Sequence, residues 1–199
     1  MKPTAFLNDW LLRTPPPWKI GQILIQPGFT LCHQGDQNSS ETLRPIPLEK
    51  ITDLIKTTAN GNFRPLRSSP DLPSGWILTP LSLEELLLAL RLFYPSAIAH
   101  WSAWSQQTLR ITPYQETAER QTGMYHCTRL LTSEQRTALT QSVCAQECMK
   151  KRLWEPADPF TSSPQEIPLL CAEPCNYFIP KAREVVKSMI PPKKTMGGC

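Results

Sequence analysis

The sequence predicts an α+β protein in two parts. An N-terminal domain with a hairpin and helices is expected over residues 1–112, and a mostly helical domain over 113–199. Apolar residues alternate from Trp18 to Asp36, leucines recur at helical spacing from Pro80 to Tyr94, and four of the seven cysteines occur in two close pairs late in the chain. The 21 prolines, about twice the average share, favour short elements and stiff connections.

The first alternating segment has the pattern of a β-hairpin. Ile20 to Ile25 would form its first strand and Phe29 to His33 its second, with alternate side chains on one face. Gln26 to Gly28 lies between them. Proline followed by glycine suits a type II turn, because the third position of that turn needs a positive φ. Cys32 would lie on the face opposite His33, where we expect a structural role.

The helical predictions depend on apolar periodicity and on capping residues. Ser82 and Thr132 each have a Glu or Gln three residues later, which is the spacing of a capping box. Pro180 would kink or restart the last helix. The predicted helices are Pro47–Thr58, Pro80–Tyr94, Ala97–Trp104, Thr132–Leu153 and Pro174–Ile190, with a short strand at Thr108–Thr112 and a disordered tail from Pro191 to Cys199.

Two cysteine pairs of equal spacing, Cys144 with Cys148 and Cys171 with Cys175, are the strongest chemical signal. On the predicted helix, a spacing of four places the first two thiols on one face, one turn apart. The 22 residues between the pairs contain four prolines and can fold the second pair onto the first. Four converging thiolates suit an iron–sulfur cluster or structural zinc, and spacing does not separate the two. The alternative is four small core residues.

Few other residues have the pattern of a site. Cys127 is a candidate fifth ligand, although a buried structural thiol is the simpler interpretation. The three histidines have no metal-ligand spacing. Trp101 and Trp104 would share a helix face and could stack a flat tetrapyrrole, but such pairs are more often core or interface anchors. No phosphate loop, nucleophile elbow or zinc-protease motif is present, so we expect no catalytic activity from this chain alone.

Charge and hydropathy narrow the class of protein. The net charge of +4 is too small and too dispersed to indicate nucleic-acid binding. The first thirty residues contain no apolar run typical of an export signal, and the most apolar segment, Leu86–Tyr94, is far shorter than a membrane span. We therefore expect a cytoplasmic protein without membrane contact, in which the cysteines stay reduced. The basic run Lys150–Arg152 would be solvated surface or would compensate the charge of a cluster.

Five stretches give the chain a family resemblance. They are Pro27–Phe29 with His33 and Asp36, Phe63–Arg67, Thr108–Pro113, Glu116–Tyr125 and Leu169–Cys175. These stretches resemble the C-terminal region of the long CbiX-type proteins related to sirohydrochlorin chelatases. In that family, chelatase domains precede a stabilising domain and a [4Fe–4S]-binding domain.

The resemblance implies an iron–sulfur cluster rather than zinc. Its ligands would be Cys144, Cys148, Cys171 and Cys175. The chelatase domains of the family have no counterpart in this sequence, so the resemblance does not extend chelatase activity to this chain.

Three functional hypotheses follow. The first is a [4Fe–4S] protein that serves as a redox, sensory or accessory partner of another protein, such as a separate chelatase or a redox enzyme, with a link to tetrapyrrole metabolism. The second is a zinc-stabilised protein-interaction module without redox chemistry. The third is a tetrapyrrole-binding enzyme subunit, in which the region of Trp101 and Trp104 binds the macrocycle.

Overall fold

A computed structural model confirms the α+β class. It describes residues 2–39, 42–56, 72–80, 82–120, 130–145, 148–155 and 162–189. Within these ranges the helices are α1 Pro3–Arg13, α2 Ile51–Lys56, α3 Leu83–Phe93, α4 Ala97–Ser105, α5 Tyr114–Arg120, α6 Ser133–Leu139 and α7 Phe178–Met189. The strands are β1 Trp18–Ile20, β2 Ile23–Ile25, β3 Leu31–His33, β4 Arg44–Pro45, β5 Trp76–Leu78, β6 Lys151–Arg152, β7 Glu166–Ile167 and β8 Leu170–Cys171.

Six of the strands form one mixed sheet in the order β4–β5–β3–β2–β1–β7. Its central pairs are antiparallel, whereas the edge strands β4 and β7 run parallel to β5 and β1. Strand β7 comes from late in the chain, and it places Glu166 opposite Lys19 and Ile167 opposite Ile20. The sheet therefore joins the N-terminal part of the protein to the segment that precedes the second cysteine pair.

The predicted two-stranded hairpin forms three strands, β1, β2 and β3. A single strand over Ile20–Ile25 is wrong, because Gly21, with φ +58°, turns the chain and makes β1 and β2 antiparallel partners. A Cβ at this position would lie 2.6 Å from the Tyr94 ring, whose hydroxyl accepts a hydrogen bond from the Gln22 N–H at 3.0 Å. Strand β2 then pairs with β3 across the predicted turn, where Gly28 has the positive φ of 77° that such a turn needs.

Helices α1 to α4 pack with the six-stranded sheet into a first hydrophobic core. Helix α1 had no counterpart among the predictions, and it buries Leu7, Trp10 and Leu11. Helix α3 confirms the predicted capped helix, since the Ser82 hydroxyl accepts a hydrogen bond from the Glu85 N–H at 3.1 Å. Helices α2 and α4 also form where the periodicity predicted them.

The strand predicted for Thr108–Thr112 is wrong. Its first two residues fold back onto α4, where the N–H groups of Thr108 and Leu109 donate to the Ala103 carbonyl. At its other end, the Thr112 N–H donates to the Ala172 carbonyl at 2.8 Å. The segment therefore connects α4 to the second cysteine pair. It does not pair with any strand in the described part of the chain.

The long helix predicted for Thr132–Leu153 is only partly correct. Its capping box between Thr132 and Gln135 is present, but α6 ends at Leu139 and a π-helical turn, Thr140–Ala145, follows. The last part of the predicted helix becomes strand β6, which runs parallel to β8. Pairing with a distant strand thus prevails over local helical propensity.

A second hydrophobic core forms around α5, α6, α7 and the residues that follow β6. Helix α7 lies within the helix predicted for Pro174–Ile190. Pro180 is its third residue and causes no break, because N–H groups of the first turn have no partner inside a helix. The predicted opening at Pro174 and the kink at Pro180 are therefore wrong, whereas the alternative that the helix restarts near Pro180 agrees with the start of α7 at Phe178. The buried members of this core are Tyr114, Ala118, Leu131, Leu139, Val143, Cys144, Trp154, Phe178, Ile179, Ala182 and Val186.

Several predictions lie outside the described residues, namely those for Cys127, for Phe63–Arg67 and for the tail Pro191–Cys199. Among the helices that are described, none has the length and apolar character needed to cross a bilayer.

The pairing of β7 with β1 predicts that a residue from the C-terminal part stabilises the first core. Ile167 is fully buried there, so Ile167→Ala should lower the free energy of unfolding by about 2–5 kcal/mol through lost burial and the cavity left behind. Leu12→Ala is the matched control, because Leu12 is 79% exposed, and its effect should stay within about 0.5 kcal/mol. Urea unfolding of both variants checks this, and equal effects would contradict the packing.

Candidate metal centre

The four predicted ligands lie on elements that meet in the second core. Cys144 is in the π-helical turn after α6, and Cys148 follows in the segment that leads into β6. Cys171 ends β8, and Cys175 lies just before α7, where its carbonyl accepts a hydrogen bond from the Ile179 N–H at 3.1 Å. Cys144 is buried within this core, and the other three are half-buried and pack against it.

The first cysteine pair does not have the geometry expected from its spacing. Cys144 and Cys148 were predicted on one face of a continuous helix, and that prediction is wrong because Cys148 is not helical. The π-helical turn that contains Cys144 ends at Ala145, and residues 148–150, which belong to no helix or strand, lead into β6. Cys148 therefore lies outside any helix or strand.

The parallel pairing of β6 with β8 brings the two halves of the site together. Arg152 lies opposite Cys171, and the Leu153 N–H donates to the Cys171 carbonyl at 2.9 Å. Lys151 makes a similar bond, to the Leu169 carbonyl at 2.7 Å. Since β6 begins soon after Cys148, this pairing fixes the first cysteine pair beside the second.

The electrostatics of Cys144 show that all four thiols share one neighbourhood. Burial raises the pKa of the Cys144 thiol to about 12, and the Arg152 guanidinium partly opposes this. Negative charge on Cys148, Cys175 or Cys171 would raise the same pKa further. Without a metal the Cys144 thiol is therefore protonated at neutral pH, and binding a metal group there would release its proton.

Cys171 has a second set of influences. Burial is the largest and raises the pKa of its thiol, whereas the indole N–H of Trp154 and the ammonium of Lys150 lower it. The thiol donates a hydrogen bond to the Glu173 carbonyl at 3.2 Å. In the described part of the chain the Trp154 indole nitrogen has no partner with full hydrogen-bond geometry, and the Cys171 thiol is the group whose pKa it lowers.

An aromatic cluster and an ion pair hold this side of the site. Trp154 packs edge-on against Phe178, with ring centroids 5.0 Å apart, and both contact Tyr114. The neighbouring Glu155 is almost fully buried and accepts from Arg136 at 2.9–3.0 Å. Because breaking a buried ion pair is strongly destabilising, these contacts fix the chain that carries Trp154.

The donor chemistry fits a metal group that takes thiolate ligands. Four cysteines converge on an apolar core, and two buried nitrogen atoms beside them, Arg152 Nε and Trp154 Nε1, have no partner with full hydrogen-bond geometry in the described ranges. An unpaired buried donor costs about 1–3 kcal/mol, so a bound group that carries accepting sulfur atoms would satisfy both. In the part of the chain that is described, no three His, Cys, Asp or Glu side chains are already arranged around one point as ligands of a single metal ion.

The other predicted candidates lie away from this centre. Cys32 is buried in β3, and burial, followed by the nearby Asp36, raises the pKa of its thiol. His33 and Asp36, which contributed to the family resemblance, stabilise loops: the His33 ring accepts from the Gly35 N–H and the Asp36 carboxylate from the Gly75 N–H. Both contacts are structural.

The C-terminal end of α4 forms an open cavity of about 520 Å³. Trp101 and Trp104 line it together with Leu109, and both indole rings are partly exposed. On the same helix, His100 Nδ1 lies 3.5 Å from the Leu170 carbonyl, next to Cys171. Helix α4 therefore connects the first core to the strand that carries a candidate ligand.

Sequence reasoning missed Trp154. Nothing in its spacing relates it to a cysteine, since the contact depends on the β6–β8 pairing of residues far apart in the chain. Arg152 was noticed only as part of a basic run, although it is half-buried and its neighbour Lys151 is exposed. Two cations of this run, Lys150 and Arg152, act electrostatically on the cysteines, whereas Lys151 is exposed to solvent.

Comparison with known proteins assigns both halves of the chain. Residues 14–105 match the family described as the DR2241 stabilising domain, and residues 106–184 match the 4Fe-4S iron–sulfur cluster binding domain. No curated protein matches the chain significantly.

A solved structure resembles nearly the whole fold. It is DR2241 from Deinococcus radiodurans, described as a multi-domain protein with structural similarity to chelatases and with two additional novel domains. The sequences are 30% identical and the TM-score is 0.77; the match covers 94% of this chain but 41% of that one. The chain thus spans less than half the length of this relative. The two family matches and the shared fold confirm the resemblance seen in the sequence: this chain joins a region that matches the DR2241 stabilising domain to a region that matches the 4Fe-4S iron–sulfur cluster binding domain.

Proposed function

We propose that this protein binds one [4Fe–4S] cluster through Cys144, Cys148, Cys171 and Cys175. The observation that carries the proposal is their convergence on one apolar core within the matched cluster-binding domain. Thiolate is the ligand that iron–sulfur clusters use, and Cys₄ is the usual set for this cluster type.

The surroundings of the cysteines support a negatively charged cluster. The cations of Arg152 and Lys150 act on Cys144 and Cys171. Cys175 precedes the 12-residue helix α7, whose N-terminal end favours negative charge. Structural zinc would suit the same spacing, but the family match favours iron and sulfide.

The proposed role is electron exchange or sensing in partnership with another protein. Four protein thiolates complete the coordination of the cluster irons and leave no open position for a substrate, so we assign no catalytic activity to this chain alone. A chelatase or a redox enzyme is the proposed partner, and the likeness to a protein with chelatase similarity supports a link to tetrapyrrole metabolism. Reduced, metal-binding cysteines fit a cytoplasmic location.

The ligand assignment predicts the effect of single substitutions. Cys144→Ser or Cys171→Ser should reduce iron and sulfide from about four of each per chain to near zero, because a serine hydroxyl stays protonated where a thiolate is needed. The measurement is iron and sulfide content with visible absorbance after purification without oxygen. Cys32→Ser is the control, since that thiol is buried in β3 outside the second core, and it should retain the full cluster. Full cluster absorbance in both ligand variants would overturn the assignment.

A second candidate function is tetrapyrrole binding at the cavity at the end of α4. The cavity presents two partly exposed tryptophans, and its volume lies within the usual range of about 300–1,000 Å³ for small-molecule sites. A flat macrocycle could stack on either indole. This function would make the protein a tetrapyrrole-binding subunit of an enzyme.

Titration with sirohydrochlorin tests this candidate. Binding should quench tryptophan fluorescence and shift the ligand absorbance, and the double variant Trp101→Leu, Trp104→Leu should weaken it at least tenfold. Trp76→Phe is the control, because Trp76 is 1% exposed and stacks on Phe93 in the first core. An unchanged spectrum at high micromolar ligand would count this function out.

A further inference from the structure

Two buried N–H groups on the segment between the cysteine pairs have no acceptor with full hydrogen-bond geometry among the described residues. They are Nε of Arg152, in β6, and Nε1 of Trp154, two residues later. Trp154 is 3% exposed and its indole is enclosed by aromatic rings. Solvent therefore cannot easily replace the missing acceptor, and buried donors in native proteins are normally paired.

Both side chains are held in place by other contacts. Arg152 Nη1 donates to the Thr140 carbonyl at 3.4 Å, at the start of the turn that carries Cys144. Trp154 follows Leu153, whose N–H is bonded to the Cys171 carbonyl at 2.9 Å. One donor is thereby fixed beside the first cysteine pair and the other beside the second.

We propose that Arg152 and Trp154 donate hydrogen bonds to sulfur atoms of the bound cluster or of its thiolates and thereby raise its reduction potential. This inference rests on the proposed function. Each N–H would meet a sulfur acceptor that exists as an anion only when the cluster is bound. Hydrogen bonds to these sulfurs and the net charge around a cluster are among the factors that set its potential.

The direction of the effect follows from charge. Reduction adds one electron to the cluster, so the sulfurs become better acceptors and the half-buried Arg152 guanidinium attracts them more strongly. The two donors therefore stabilise the reduced cluster more than the oxidised cluster. Removing either donor should favour the oxidised form and lower the potential.

The test is a potentiometric titration, monitored by EPR and visible absorbance, of the full chain and of Arg152→Gln and Trp154→Phe. We expect each variant to retain the cluster and to show a lower potential. A shift of about tenfold in the reduced-to-oxidised ratio at fixed potential corresponds to about 59 mV for a one-electron couple. Resonance Raman spectra should show altered iron–sulfur stretching in both variants.

Two control variants separate hydrogen bonding from charge and from packing. Lys151→Gln removes the same charge from an exposed neighbour, so solvent screening should leave a much smaller shift that disappears at high salt. Phe178→Leu disturbs the packing around Trp154 without deleting a donor, and it should leave the potential near that of the wild type.

Each outcome decides between the alternatives. Unchanged potentials in Arg152→Gln and Trp154→Phe, or equal shifts in the control variants, would overturn the inference. Loss of the cluster from both donor variants while the fold is retained would also count against it, because the four thiolates would still be present. A wild-type protein without iron and sulfide would instead refute the proposed function itself.

Discussion

The parallel pairing of two short strands, β6 and β8, is the contact on which the candidate site depends. Each strand has only two residues, yet the pairing places the segment after Cys148 against the strand that ends at Cys171. Without it, the two cysteine pairs would be joined only through the 22 residues of sequence that separate them. A two-residue pair is weak alone, so its stability must come from the surrounding core and from whatever the cysteines bind.

Both hydrophobic cores stabilise the pairing of β6 with β8. Strand β7 joins the main sheet only a few residues before β8 begins, so the approach to Cys171 is fixed from the N-terminal part of the protein. Helix α4 packs against both β7 and β8. The first domain therefore stabilises the position of β7 and β8, and with them the chain that leads to Cys171.

The sequence predicted what depends on local pattern and failed where distant segments pair. Capping residues located α3 and the start of α6, and the four cysteines selected by their spacing lie in or against the second core. The end of the helix after Thr132 could not be predicted, because β6 exists only through its partner β8. Gly21 was missed for a similar reason, since the Tyr94 ring that makes glycine necessary there lies far along the chain.

The central claim is that the four cysteines hold a [4Fe–4S] cluster, and metal analysis tests it most directly. Iron, sulfide and zinc should be quantified on one sample purified without oxygen, together with its absorbance spectrum. About four irons and four sulfides per chain with a broad visible charge-transfer band is the predicted result. One zinc per chain, with neither iron nor sulfide, would contradict it and would make the protein a zinc-stabilised interaction module.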